Sequence, residues 1–324
     1  MREAPIGVFD SGVGGLTVLK ALAAELPHEH FVYLGDTARL PYGTKSPETV
    51  ARYALQAAEA LCEYGVKCLV IACNTASSVG LPAIRERIRG VPIVGVIEPG
   101  AEAACATSKS GYIAVIATEG TVRGGAYQEA ILRLRGRARV IAQPTQLFVA
   151  LAEEGLHEGP IADSIARHYL DPLFHKSRGA TVHRALSRGG TTSLSAASHD
   201  AASHGAASHD TASQRAASHD TQSPPDTLVL GCTHFPMLAG AIRAAIGPDI
   251  QIVDSAATTA KSVRETLERE SLTRPESPAD RDVPTGDAGT TRFLATDSVE
   301  RFARIGSRFL ERPIDPEEVE LVDL

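Results

Sequence analysis

Two segments far apart in the chain place a cysteine in the same setting. Ala72-Cys73-Asn74-Thr75-Ala76-Ser77 follows the apolar run Cys68–Ala72, and Gly231-Cys232-Thr233-His234-Phe235-Pro236 follows Thr227–Leu230. In each, a thiol stands at the end of a strand-like run and at the start of a helical segment. A helix N-terminus lowers the pKa of a thiol that faces it, so both thiols are expected to be acidified. A free thiol near pKa 8.5 is only a few per cent ionised at pH 7. Lowering it by about 1.5 units, roughly 2 kcal/mol, makes it half ionised. His234 is the natural source of positive charge beside Cys232. One cysteine in this setting reads as a small buried hydrophobe. Two suggest related half-sites, one from each domain, facing a shared cleft.

Two opposed thiols without a metal suit one of two chemistries. One is a disulfide switch. The other is two-base proton transfer, in which one thiolate removes a proton from one face of a carbon and the opposite thiol delivers another to the other face. Cys62, Cys68 and Cys105 lack the strand-end context and are read as packing residues. An odd count of five with no Cys-x-x-Cys does not suit a disulfide framework or a zinc ribbon.

Two further segments join a strand end to a turn. Phe9-Asp10-Ser11-Gly12-Val13-Gly14-Gly15-Leu16 has glycines for a tight turn into a helix whose amides can hold an anion. It is neither Gly-x-Gly-x-x-Gly nor a P-loop, so a nucleotide site is not indicated. Asp10 is placed to accept a proton or hold an ammonium near Cys73; taken alone, the segment is a plain capped turn. Gly35-Asp36-Thr37-Ala38-Arg39-Leu40-Pro41-Tyr42-Gly43 taken alone is a loop. Arg39 is the single arginine in the four segments and there is no lysine, so anionic ligand groups would be held mainly by neutral donors and backbone amides. No segment offers a lysine for a pyridoxal-type cofactor, and the absence of Trp argues against a large stacking site.

The elements that must position these residues alternate. Ile6–Phe9, Phe31–Leu34, Cys68–Ala72, Ile93–Ile97, Ile113–Ile116, Thr227–Leu230 and Gln251–Val253 are short apolar runs, continuous rather than alternating, as in parallel strands covered on both faces. Helical patterns fall between them, most clearly at Pro47–Glu63, where Val50, Ala54, Ala57 and Leu61 form one stripe. Others are Leu16–Ala24, Leu81–Arg89, Tyr127–Leu134, Ile161–Phe174, Met237–Ile246, Ala257–Arg269 and Val299–Leu310. The pattern predicts an α/β fold with open, mostly parallel sheets, whose ligands bind at the carboxyl ends of strands.

With 324 residues the chain is long enough for two domains. Its 32 basic and 39 acidic residues argue against a bulk electrostatic grip on nucleic acid. Its apolar stretches fall far short of the about 20 residues of a membrane span. Met1-Arg2-Glu3-Ala4-Pro5 shows no signal region, and the expected location is cytoplasmic. From residue 196 a five-residue unit of the AASHD type repeats, carrying His199, His204, His209 and His219. It reads as a metal-binding tract or, preferably, as a low-complexity, solvated insertion spanning about 176–225, disordered and dispensable. Ser271–Thr290 reads as a surface connection.

The four segments together resemble the glutamate racemases of the cofactor-independent aspartate/glutamate racemase superfamily: FDSGVGGLTVL (9–19), LGDTARLPYG (34–43), ACNTAS (72–77) and GCTHFP (231–236). VIEPGA (96–101), IAVIATEGTV (113–122), ALAEEG (150–155) and VDSAATTA (253–260) add to it. The segment Leu294–Ser298 and the repeat insertion depart from the family pattern. The resemblance implies two pseudosymmetric α/β domains with the active site in the cleft between them: 1–97 plus 250–324, and 98–249. It implies interconversion of L- and D-glutamate, supplying D-glutamate for peptidoglycan, with no cofactor and no metal. Cys73 and Cys232 would be the acid/base pair, Asp10 assisting the first, Glu153 and His234 the second. Asp10, Ser11, Pro41, Tyr42, Gly43, Asn74, Thr75, Thr118, Thr121, Thr233 and His234 would bind substrate. The implied partner is the small-molecule substrate, with no nucleic acid or membrane; a homodimer is among the assemblies the family forms. A relative acting on aspartate, a non-catalytic amino-acid-binding module and a redox switch are the alternatives.

Overall fold

The computed structural model describes residues 1–175, 223–275 and 289–324. The AASHD-type repeats lie outside the described residues, as does most of the 271–290 connection. Two parallel sheets form the frame. The first, in the order β10-β9-β2-β1-β3-β4, contains β1 (Ile6–Asp10), β2 (Phe31–Gly35), β3 (Cys68–Ile71), β4 (Ile93–Gly95), β9 (Thr291–Ala295) and β10 (Val319–Leu321). The second, in the order β6-β5-β7-β8, contains β5 (Tyr112–Ala117), β6 (Arg139–Pro144), β7 (Thr227–Gly231) and β8 (Gln251–Asp254).

The orders 2-1-3-4 and 6-5-7-8 are the same order, so β1 corresponds to β5 and β3 to β7. Residues after β3 and after β7 therefore occupy equivalent places. The central strands β1, β2, β3 and β7 are buried along their whole length, as their continuous apolar runs require. The chain crosses from the first sheet to the second through α5 (Ile97–Thr107) and returns through α11 (Ser255–Arg269), which packs against both α5 and α1 (Leu16–Glu25).

This connection corrects one expected boundary. Dividing the chain at 250 assigns β8 to the first half, yet Thr227–Leu230 of β7 pair with Gln251–Asp254 of β8 in the second sheet. The return crossing begins only at Ser255.

Local chemistry explains the helices. In α2 (Pro47–Glu63), Ser46 accepts a hydrogen bond from the Thr49 amide at 3.3 Å and Pro47 occupies the first turn. Val50, Ala54, Ala57, Ala58 and Leu61 face the core beneath the first sheet. Cys68 is fully buried, and Cys62 and Cys105 pack partly buried against the core. Three strands have no counterpart in the sequence pattern: β6 and β10 at sheet edges, exposed to half-buried and mostly exposed, and β9 inside the first sheet between β10 and β2, where Phe293, Leu294 and Ala295 are buried. Among the described residues, no helix is long and apolar enough to cross a membrane.

Candidate active site

The carboxyl ends of β1, β3, β5 and β7 face one cavity of about 410 Å³. Ser11, Pro41, Tyr42, Gly43, Cys73, Asn74, Thr75, Thr118, Glu153, Cys232, Thr233 and His234 all line it. Two of the residues expected there do not. Asp10 lies buried behind the wall, its Oδ2 accepting the Gly12 amide at 3.1 Å and its Oδ1 unpartnered. Thr121 is also buried and reaches the cavity only through Thr118 and Thr75, whose hydroxyls lie 3.0 and 3.2 Å from its own.

The Cys73 half is neutral or acidic. Cys73 is the N-cap of α3 (Asn74–Val79); its Sγ accepts the Ala76 amide at 3.5 Å and lies 3.5 Å from Ser11 Oγ. The expected acidification does not follow. Burial, reinforced by the charge of Asp10, pushes the thiol up to about 12, and the Ala76 amide and Ser11 offset this only in part. A buried thiol beside a carboxylate favours its neutral form, whatever the helix behind it. Burial likewise raises Asp10, against the opposing charge of His234 and three backbone amides.

The Cys232 half is built differently. His234 Nδ1 lies 3.8 Å from Cys232 Sγ, and Nε2 lies 3.2 Å from Glu153 Oε1. Burial alone would lower this imidazole; hydrogen bonds to Cys232 and Glu153, with the charges of Cys232 and Asp10, raise it to about 10. Burial would raise Glu153, but its bond to His234 and the nearby cations bring it below the usual carboxylate range. The imidazole therefore carries positive charge beside the sulfur, with Glu153 (on α8, Leu147–Glu154) as its counter-ion. Phe309 meets its ring edge-on at 5.1 Å. Cys73 and Cys232 thus share a fold position but not an environment.

Close backbone approaches join the halves. A Cβ at Gly14 would stand 2.5 Å from His234 Nδ1, and Thr17 Oγ1 donates to the Thr233 carbonyl at 3.0 Å. A Cβ at Gly43 would stand 2.8 Å from Thr118 Cβ. These glycines are required by proximity, not by backbone conformation.

Polar groups around the cavity are fixed from behind. Tyr127 donates to Asn74 Oδ1 at 2.8 Å, leaving the Asn74 Nδ2 donor unpartnered. The Tyr42 hydroxyl donates to the buried Asp36 at 2.5 Å, so Tyr42 offers the cavity its ring and backbone, not its hydroxyl. Arg39 is occupied by Asp36 at 2.6 Å and Gln56 at 2.7 Å and does not line the cavity. Sequence reasoning missed Gln146, Leu147, Val149, Ala150, Leu40 and Arg301, which complete the lining. Nothing local separates Arg301 from Arg304 and Arg308 on the same helix; only the placement of that helix does.

Residues 6–168 match the family described as Asp/Glu/Hydantoin racemase. A glutamate racemase of Geobacter metallireducens is 42% identical over 305 residues, 94% of this chain and 92% of that one. The chain belongs to the Asp/Glu/Hydantoin racemase family. Solved racemases share its architecture. The crystal structure of a Francisella tularensis glutamate racemase in complex with D-glutamate matches with a TM-score of 0.76 at 28% identity, covering 100% of this chain and 98% of that one. That of a Thermus thermophilus glutamate racemase in complex with β-chloro-D-alanine gives 0.73 at 38% identity, covering 100% and 98%. The expected family and fold class therefore stand.

Proposed function

We propose that this racemase interconverts L- and D-glutamate by two-base proton transfer at Cα, with Cys73 and Cys232 as the pair. The observation that carries the reading is the pair of buried cysteines at equivalent strand ends of two sheets, lining one cavity. In one direction, one cysteine as thiolate takes the proton from Cα. The C–H electron pair moves toward the α-carboxylate, and the opposite thiol gives its proton to the other face. The cysteines finish with their protonation states exchanged, and the reverse reaction restores them. No net redox change occurs.

The unlike surroundings fit such a pair. His234, with Glu153 as its counter-ion, stands beside Cys232, while burial and Asp10 favour the neutral thiol at Cys73. A substrate ammonium entering beside Cys73 and Asp10 would bring the positive charge this half lacks. Ser11, Asn74, Thr75, Thr118 and Thr233 supply neutral polar groups for the carboxylates, and the Pro41-Tyr42-Gly43 turn closes one wall. Cytoplasmic location, use of the D-glutamate for peptidoglycan and a homodimeric state belong to the same proposal on the family resemblance alone.

The test is incubation of the purified protein with L-glutamate, and separately L-aspartate, in D₂O without added cofactor, following optical rotation and deuterium at Cα. Racemisation with Cα deuteration of glutamate, and little of aspartate, is expected. Cys73→Ser and Cys232→Ser should each nearly abolish it. No exchange with either amino acid would overturn the racemase reading, and a wild-type rate in either variant would overturn the two-base assignment.

A further inference from the structure

The hydrogen-bonded chain behind Cys232 does not end at Glu153. Its second oxygen, Oε2, accepts a hydrogen bond from Arg301 Nη2 at 3.0 Å. Glu153 belongs to the second half and Arg301 to the first, on α12 (Val299–Leu310), so this ion pair crosses the cleft. Both residues line the substrate cavity and also a small adjoining pocket of about 70 Å³.

The start of α12 is not free to drift. Thr37 Oγ1 donates to the Asp297 carbonyl at 2.6 Å, and the Asp297 amide returns a bond to the same hydroxyl at 2.9 Å. Thr296 Oγ1 donates to Asp36 Oδ1 at 2.9 Å, and Asp36 is the same carboxylate that holds the Tyr42 hydroxyl. The loop that presents Arg301 and the turn that walls the cavity therefore share one buried anchor.

We propose that Arg301 is a positioning residue for the reaction: by pairing across the cleft it keeps Glu153 ionised and aimed at His234, and so holds the imidazolium beside Cys232. The inference rests on the two-base reading above. Its electrostatics follow from the groups facing Glu153. His234 comes from the loop after β7. Arg301 and Arg308 come from α12, Arg308 donating to the Glu153 carbonyl at 3.3 Å. Asp297 lies across the small pocket, and exposed Glu154 is the neighbour on its own helix. Arg301 is the side-chain cation paired with the Glu153 carboxylate besides His234. Without it, Glu153 takes up a proton more readily, and a protonated Glu153 no longer favours the charged imidazole. Opposite charge nearby favours the ionised carboxylate, and the partial exposure of Arg301 screens part of that effect.

The experiment compares pH profiles of kcat/KM for wild type, Arg301→Gln, Arg301→Lys and Arg304→Gln in the full chain. Arg304 is exposed on the same helix and lines no part of the cavity. Arg301→Gln is expected to move the acid limb up by about one pH unit and so lower activity roughly tenfold on that limb. Arg301→Lys should restore most of the limb position, and Arg304→Gln should match wild type. An unmoved acid limb in Arg301→Gln overturns the proposal. So does a pH-independent loss shared equally by Arg301→Gln and Arg301→Lys, which would mark a packing role. Racemisation by the wild type is read in the same assay, so failure of the underlying activity is distinguishable from failure of this inference.

Discussion

Gly14→Ala adds one methyl group where the two halves meet beside Cys232. Its Cβ would stand 2.5 Å from His234 Nδ1, whereas ordinary contact begins near 3.4 Å. The ring cannot swing aside freely: Phe309 lies edge-on against it, Glu153 holds Nε2, and the residue is buried. The imidazole must shift by roughly 1 Å, carrying Nδ1 away from its 3.8 Å approach to Cys232. A misplacement of about 1 Å costs on the order of 10²-fold in rate, and the overpacking itself costs about 1–3 kcal/mol. Rates are followed by circular dichroism from L- and from D-glutamate, beside thermal unfolding of the same samples. Because enantiomers have equal free energies, kcat/KM must fall equally in both directions. Gly240→Ala is the control: Gly240 is exposed near the start of α10 (Ala239–Ile246), and a Cβ there meets nothing. It should retain wild-type activity with a stability gain of at most about 1 kcal/mol. A folded Gly14→Ala protein with wild-type kcat/KM would refute the reasoning.

Stability should also carry the signature of His234. Its folded-state pKa, raised from 6.5 to about 10, gives a contribution fully present below 6.5 and lost as pH rises through about 10. Thermal midpoints should therefore decline across this window in wild type and decline less in His234→Asn; identical slopes would exclude a charged imidazole in the native state. At the opposite ends of the strands, Lys67 pairs with Glu29, both cut off from solvent, and also donates to the Arg2 carbonyl at 2.6 Å. Lys67→Met should cost about 3–5 kcal/mol in denaturant unfolding by removing the counter-ion of a buried carboxylate that then keeps the Arg274 amide at 2.9 Å, and Lys67→Met/Glu29→Leu should recover part of that. The rate per folded molecule should stay unchanged in both, since neither residue lines the cavity.

Much of this architecture is legible in the chain itself because its signals are local. The continuous apolar runs at Ile6–Phe9, Cys68–Ala72 and Thr227–Leu230 require strands buried on both faces, and the structure gives them that place. The stripe of α2 and its Ser46–Pro47 start are equally local. β6, β9 and β10 are less legible. β10 is three residues long and mostly exposed, β6 sets Val140-Ile141-Ala142 between Arg139 and Gln143-Pro144, and β9 begins with the polar Thr291-Arg292. The boundary at 250 missed because the strand Gln251–Asp254 looks the same whichever sheet it joins; pairing with β7 decides the matter.

The site divides along the same line. The sequence determined the strand-end cysteines, the small polar residues beside them and the glycine-rich turns, since these are covalent neighbours in short segments. Tertiary structure decided how those groups behave. It put Cys73 beside Asp10 in a buried wall, so desolvation overrides the helix terminus and the thiol goes up rather than down. It brought Glu153 to His234 from 81 residues away, and Arg301 to Glu153 from the other half. Charge acts through space and burial acts through shape. Neither distance nor solvent access is written in the local chain, so the chemistry of two similar motifs became unlike only when the fold gave them different neighbours.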